Sequence, residues 1–406
     1  MKVLYAWEIG EDLGHITQFL PLALELRRRG HDVVTALREL PRAESIIGRH
    51  GITMLQAPIW QGELLDPPRP PVSYAEILFF FGYLDASRLT AMIRAWTSLI
   101  SLIKPDIIIA DHAPTALIAA RVLGIQRTTM GSGFFLPPAA SPLPSMRPWS
   151  NVSSERLMQS DQRALTEINA ALRTLSARPL ERLSDLFECS KHFLITFSEL
   201  DHYPSRAPAQ YYGPILGPAG GAVPEWPQGS GPRVFAYLKP HYQEMEEVLD
   251  GLTAFGCRTA AFISGIPAPT LARIRSNAIS ISHRPYDIKR AAAECDFGVC
   301  HAGHGTICEL LLKGKPLLLL PIQFEQYLVA ERVSKAGAGV VVERENPRRD
   351  FKAAIGQIIN TPDYANRAKQ FASHYSGFSS LSTVKRIADE CETIAGQQRA
   401  GASRRG

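Results

Sequence analysis

The stretch VCHAGHGTICELLLKGKPLLLLPIQFEQ, Val299 to Gln326, gathers residues able to hold both a polyanion and a polyol. An apolar, strand-like run ends at His301, Gly303, His304, Gly305 and Thr306, and a helix-like run follows. Glycine lets a backbone approach a ligand closely. A helix beginning near Thr306 would present unpaired amides at its positive dipole end. Thr306 adds a hydroxyl, and His301 at the strand end could donate from Nε2–H to a phosphate oxygen. That set suits a diphosphate. No Lys-Ser or Lys-Thr pair of the Walker type accompanies it, which disfavours ATP hydrolysis. No Asp-rich metal motif follows, so neither a metal nor a resident cofactor is expected. Glu309, one turn into the helix, suits ribose hydroxyls, and Glu325 beside Gln326 suits a polyhydroxylated sugar. A nucleotide sugar satisfies all of these groups. The alternative is that the glycines only turn the chain and the histidines cap it.

A second cluster lies in the first half of the chain. Gly14 and His15 follow the strand-like run Lys2 to Ala6, and Asp111 and His112 follow Ile107 to Ala110. Ligands of open α/β sheets bind at the carboxyl ends of strands. A carboxylate facing an imidazole orients the ring and raises its basicity. His15 could instead be a capping or surface residue, and Asp111 the cap of the next helix. Phe134 and Phe135, in the Pro-rich run GSGFFLPPAASPLPSMRPW, should reach the same edge and suit a pocket for an apolar acceptor.

These residues need two scaffolds. At 406 residues the chain exceeds a usual single domain. Strand-like and helix-like runs alternate in both halves, which predicts an α/β fold with two doubly wound, Rossmann-like domains facing a cleft. Residues 1–210 read as the first domain, 211–232 as a Gly- and Pro-rich linker and 233–385 as the second. The tail 386–406 is expected to return to the first domain before a mobile end. The runs Glu155 to Ala177 and Pro179 to Cys189 read as helical, and the helix-like run from Tyr74 to Ser101 breaks near Gly82. A formal charge of +5, without a clustered basic stripe, favours anionic small molecules over nucleic acid. Six cysteines without metal spacing suggest reduced, buried thiols. The N-terminus does not read as a signal peptide, and no apolar run reaches spanning length. A cytoplasmic protein is expected, with peripheral contact at the inner face of the membrane left open.

The motifs resemble those of the UDP-glycosyltransferase superfamily of GT-B fold, most closely bacterial members acting on lipids or natural products. HAGHGT stands where that family has His, any residue, Gly, any residue, Gly and then Thr or Ser. GHITQFLPLALELRRRGHDVVTA matches its N-terminal pattern. The resemblance is strong over Val299 to Val342, good over Lys2 to Ala36, and thin between Tyr74 and Glu199. It implies His15 as general base with Asp111 as its partner. It implies His301 and the amides near Gly305 and Thr306 on the diphosphate, with His304 approaching the sugar phosphate. Glu309 would hold the ribose, and Glu325 and Gln326 the sugar. The loop from Arg284 to Asp287 would lie near the base, with UDP preferred and TDP open. Where the family has a small pair after the second domain's first strand, FAYLKPHY has Lys239 and Pro240. Lys239 would compensate electrostatically, or the diphosphate grip would differ. The implied reaction is inverting sugar transfer to a hydroxyl of a small-molecule or lipid acceptor. A 2-epimerase or hydrolase of nucleotide sugars, or a non-catalytic binding protein, are the alternatives.

Overall fold

Short runs of three to six residues, apolar and buried in the central strands and more polar or exposed towards the edges, become parallel strands. In the computed structural model, which describes residues 1–11, 14–62, 70–207, 209–217, 220–274, 276–344 and 349–403, they form two sheets. The first holds β1 (Lys2–Trp7), β2 (Asp32–Leu37), β3 (Thr53–Gln56), β4 (Ile107–Asp111), β5 (Gln126–Gly131) and β6 (Lys191–Leu194), in the order β3-β2-β1-β4-β5-β6. The second holds β7 (Arg233–Tyr237), β8 (Arg258–Phe262), β9 (Ile279–Ser282), β10 (Phe297–Cys300), β11 (Leu317–Leu319) and β12 (Gly339–Val341), in the order β12-β11-β10-β7-β8-β9. Every pairing is parallel. Both orders are the doubly wound Rossmann order, and the strand direction of growth reverses between β1 and β4 and between β7 and β10.

The chain divides into two compact units. One comprises Met1–Phe197, Tyr203–Ile215 and the residues from Ser380 onward; the other comprises Ser198–His202 and Leu216–Ser379. The helix Ser380–Ser403 belongs to the first unit because one of its faces is apolar. Val384, Ile387, Ala388 and Cys391 enter the same buried cluster as Leu22, Ala23 and Leu26 of the helix Gly14–Arg28. Polar contacts fix its register: Arg29 Nη1 lies 2.6 Å from Asp389 and 3.0 Å from Glu392, and Thr383 Oγ1 donates to Tyr212 O at 2.6 Å. The mobile end expected of the tail falls partly on residues 404–406, outside the described residues. All six cysteines are free.

Three local differences from the sequence reading have physical causes. Pro179 to Cys189 is not an α-helix but holds a 3-10 turn, Leu183–Phe187. Asp185 accepts from the amides of Glu181 and Arg182, which tightens the chain there before it enters β6. The strand β3 has no alternating pattern and sits at a sheet edge, so the sequence reading passed over it. The glycine-rich helix after β10 begins at His304, two residues before Thr306. The break near Gly82 is present: helices Tyr74–Phe79 and Ala86–Ile103 flank Gly82 at φ +86°. Among the described residues no helix is long and apolar enough to cross a membrane.

Candidate active site

In the first unit the parallel register sets Trp7 at the end of β1 beside Asp111 at the end of β4, at the sheet's reversal point. His15 is the second residue of the helix that follows β1. Its Nδ1 lies 2.9 Å from Asp111 Oδ1. The carboxylate is fixed from its other oxygen by Tyr5, whose hydroxyl donates to Oδ2 at 2.6 Å. Tyr5 is fully buried and stacked on Phe19, with ring centroids 3.8 Å apart. Burial and the adjacent Asp111 raise its pKa well above the ordinary phenol value, so it stays a neutral donor. With Nδ1 toward the carboxylate, the basic lone pair is on Nε2. Asp111 is not the cap of the next helix. Glu8 serves that helix, Pro114–Leu123, by accepting from Thr115 N at 3.0 Å and from Thr115 Oγ1.

Three further residues complete this edge. Gly10 has φ +101°, and a Cβ there would stand 2.7 Å from His15 Nε2, so only glycine leaves that nitrogen its space. His112 takes φ +47°, unusual for a side chain of its size. It is buried, and its ring stacks on Phe135 with centroids 4.7 Å apart and planes 8° off parallel. Burial first, then the neighbouring His15 and Arg38, hold its pKa well below the usual imidazole range. Phe134 and Phe135 are therefore at the His15 edge as expected, with Phe135 6.3 Å from the His15 ring. Both are largely covered, so the surface they offer is small. Tyr5 and Gly10 were not singled out from the sequence, and His112 was noted there only by its place beside Asp111.

In the second unit, Lys239 follows β7 and His301 follows β10, again astride the reversal point. His301 corrects an expectation. Its Nδ1–H donates to Leu320 O at 2.7 Å, and its Nε2 accepts from the Lys239 amide at 2.9 Å. Nε2 therefore carries a lone pair and not the proton expected for a phosphate. Burial lowers the pKa to about 4, keeping the ring neutral. In this arrangement His301 ties the ends of three strands together.

The helix His304–Leu312 nonetheless keeps the features of an anion site. Its first backbone bond runs from Ile307 N to Gly303 O, so the amides of His304, Gly305 and Thr306 lie before the helical ladder. A Cβ built on Gly303 or Gly305 meets nothing within 4 Å. Protein packing does not demand these glycines; they leave open the space in front of the amides. Ala302 holds φ +58° to aim the turn. The His304 ring packs against Cys308, its Nε2 3.7 Å from the sulfur, and burial and His202 lower its pKa to about 3. Glu309 is buried one turn further on, its pKa raised by burial against the pull of Lys289 and Lys313. Glu325 and Gln326 open the helix Phe324–Lys335. Gln326 Oε1 accepts from the amides of Ile322 and Gln323, at 3.0 and 3.3 Å, so its carbonyl end caps the helix. Its amide NH2 is the end suited to a sugar oxygen. The loop from Arg284 to Asp287 is pinned by Ala222, which donates to Pro285 O and accepts from Asp287 N, both at 2.8 Å. Among the described residues no group of three or more His, Cys, Asp or Glu side chains is placed to hold a metal ion.

Comparison with known proteins agrees with the fold. Residues 275–389 match the glycosyltransferase family 28 C-terminal domain. The chain is similar to a PGL/p-HBAD biosynthesis rhamnosyltransferase of Mycobacterium bovis, 25% identical over 322 residues that cover 73% of this chain and 71% of that protein. Its fold is similar to that of CalG4, the calicheamicin glycosyltransferase, with a TM-score of 0.70 at 18% identity over 97% of this chain and 98% of that one. It is also similar to the glycosyltransferase VinC, solved in complex with DTDP, with a TM-score of 0.69 at 19% identity over 98% of this chain and 100% of that one. The chain has the GT-B fold, and its sequence is similar to that of bacterial glycosyltransferases, most clearly over residues 275–389.

Proposed function

We propose that the protein transfers a sugar from a nucleoside-diphosphate donor to a hydroxyl of a small-molecule or lipid acceptor, with inversion at the anomeric carbon. His15 Nε2 takes the proton of the acceptor hydroxyl, and Asp111 steadies the imidazolium through Nδ1. The acceptor oxygen forms its bond to the anomeric carbon as the bond to the phosphate oxygen breaks. The electron pair leaves with the diphosphate. The amides of Gly305 and Thr306, behind the open space at Gly303 and Gly305, are oriented to stabilise that growing negative charge. Glu309 suits the ribose, and Glu325 with the amide end of Gln326 suits the sugar. Lys239 lends its backbone amide to His301, and its ammonium is the charge proposed to compensate at the diphosphate. A metal ion has no assigned step.

The observation that carries the reading is the 2.9 Å approach of His15 to Asp111 at a sheet reversal point. The sequence preference for UDP yields ground to TDP, because VinC was solved with DTDP. Peripheral membrane contact belongs with a lipid acceptor and stands or falls with it. The test is mass spectrometry of UDP- and TDP-sugar panels incubated with the protein and a native metabolite and lipid extract. Transfer yields a product heavier by one sugar residue in an acceptor-dependent reaction. Donor breakdown or epimerisation without any acceptor product would instead favour the hydrolase or epimerase alternative, and tight donor binding without turnover a binding protein.

A further inference from the structure

His112 has features that packing alone does not call for. It directly follows Asp111 at the end of β4 and takes φ +47°. A side chain in that region costs about 1–2 kcal/mol, and strain of this kind gathers at functional sites. Two contacts hold it there: its carbonyl accepts from Ile9 N at 2.9 Å, and its ring lies flat on Phe135. The two ring nitrogens have different surroundings. Nε2 is buried without a hydrogen-bond partner, as is Tyr74 Oη, and both residues line one cavity of about 10 Å³. Nδ1 lies on the side of Gly10. A Cβ on that glycine would stand 3.6 Å from His112 Nδ1 and 2.7 Å from His15 Nε2. Gly10 therefore keeps open one space that a nitrogen of each imidazole borders. The two ring centroids are 6.5 Å apart.

The chemistry of the reacting hydroxyl decides how His112 can use that space. Burial keeps its ring neutral, so it has one N–H and one lone pair. Tyr74 is fully buried, and burial raises its pKa well above the ordinary phenol value. It stays protonated and offers a donor on the Nε2 side. A donor there favours the lone pair on Nε2 and the proton on Nδ1. An N–H aimed at the attacking oxygen would draw on the electron pair that must reach the anomeric carbon. Aimed at a neighbouring oxygen, it orients the acceptor and leaves that pair alone. Oxygens on adjacent carbons can meet the two rings together, each at about 2.7–3.2 Å from its nitrogen.

Resting on the transfer reading above, we propose that His112 determines acceptor specificity: its Nδ1–H donates to an oxygen on the carbon next to the hydroxyl that His15 deprotonates. The preferred acceptor is an ortho-oxygenated phenol or a vicinal diol and not an isolated hydroxyl.

The test compares three coumarins, titrated calorimetrically into the full chain without donor. Esculetin and scopoletin carry an oxygen, as hydroxyl or methoxy, beside the hydroxyl that umbelliferone carries alone. Wild type should bind both about fivefold to tenfold more tightly than umbelliferone, the worth of one hydrogen bond. His112→Phe keeps a flat ring against Phe135 without a nitrogen, and His112→Gly removes the ring and the backbone strain together. In each variant that ratio should fall to about one. His112→Asn tolerates the positive φ and puts an amide nitrogen near the place of Nδ1. Its ratio should stay within about twofold of wild type. Equal affinity for the three coumarins in wild type, or a preference that survives both His112→Phe and His112→Gly, overturns the proposal. Glycosylation of the same coumarins by UDP-glucose and TDP-rhamnose is scored separately. Transfer to esculetin and umbelliferone with equal kcat/KM counts against His112 alone. A binding preference that depends on His112, without transfer from any UDP- or TDP-sugar, supports the role of His112 and counts against the transfer reading.

Discussion

Gly10 shows how narrowly the proposed base is accommodated. It has the φ of +101° that glycine tolerates, and a methyl group there would stand 2.7 Å from His15 Nε2. Gly10→Ala should therefore displace the imidazole and lower transfer by about 10²-fold or more, the scale of losing one positioned proton acceptor. Donor affinity in the second unit should be unchanged; a variant with wild-type turnover would show that Nε2 does not act there. Asp111 was legible in the sequence because it ends an apolar run at a sheet edge, and His15 because it opens the helix after the loop that follows β1. Tyr5 and Gly10 were not. The hydroxyl that fixes Asp111 comes from a residue 106 positions away, and only the β1–β4 register brings it there. The strand-end place of His301 was legible, yet its hydrogen-bond role was not, because the Lys239 amide that occupies Nε2 lies 62 positions earlier.

At the scale of elements, the start of the helix His304–Leu312 and the cap of the helix Pro114–Leu123 can each be tested. Gly305 sits in a helix, faces open space and carries no strain. Gly305→Ala should raise stability by about 0.5–1 kcal/mol, since glycine is the costlier helix residue. The same methyl should weaken TDP or UDP binding at least tenfold by filling the space before the amides. Opposite signs in thermal unfolding and calorimetric titration would mark a ligand site; unchanged affinity would remove the diphosphate from this helix. Glu8, which serves the other helix, is buried, and burial raises its pKa from 4.5 to about 7 against the hydrogen bonds from Thr115. Its folded pKa lies above its unfolded one, so its favourable contribution is complete below about pH 4.5 and is lost as the pH rises to about 7. The change is about 3 kcal/mol. His301 and His304, whose pKa values are lowered, act in the reverse sense as the pH falls below 6.5. The difference between wild type and Glu8→Gln in denaturant unfolding, followed from pH 4.5 to 7.5, isolates the Glu8 part. A flat difference would show that Glu8 ionises freely in the fold. The helices themselves were readable from their apolar periodicity and their Gly and Pro punctuation. Glu8 as a cap was hidden, because the carboxylate comes from a strand end and not from the helix's own flank.

For the whole molecule, the alternating strand and helix runs announced two doubly wound sheets, and both are present in Rossmann order. The apolar stripe of the last helix has meaning only against the helix Gly14–Arg28, which lies more than 350 residues earlier. A chain ending at residue 379 should expose that seam and lose at least about 3 kcal/mol from Val384 and Ile387 alone. Calorimetric unfolding should then show a lowered transition for the first unit, and an unshifted one would mean the helix is dispensable. The two units also divide the proposed chemistry, with the donor amides on one and the proton acceptor on the other. The measurement that tests this division most directly is donor affinity and turnover in His15→Ala, determined on the same preparation. Donor affinity should stay within about twofold of wild type while turnover falls about 10²–10⁴-fold. Wild-type turnover in that variant would contradict the assignment of His15 as the base.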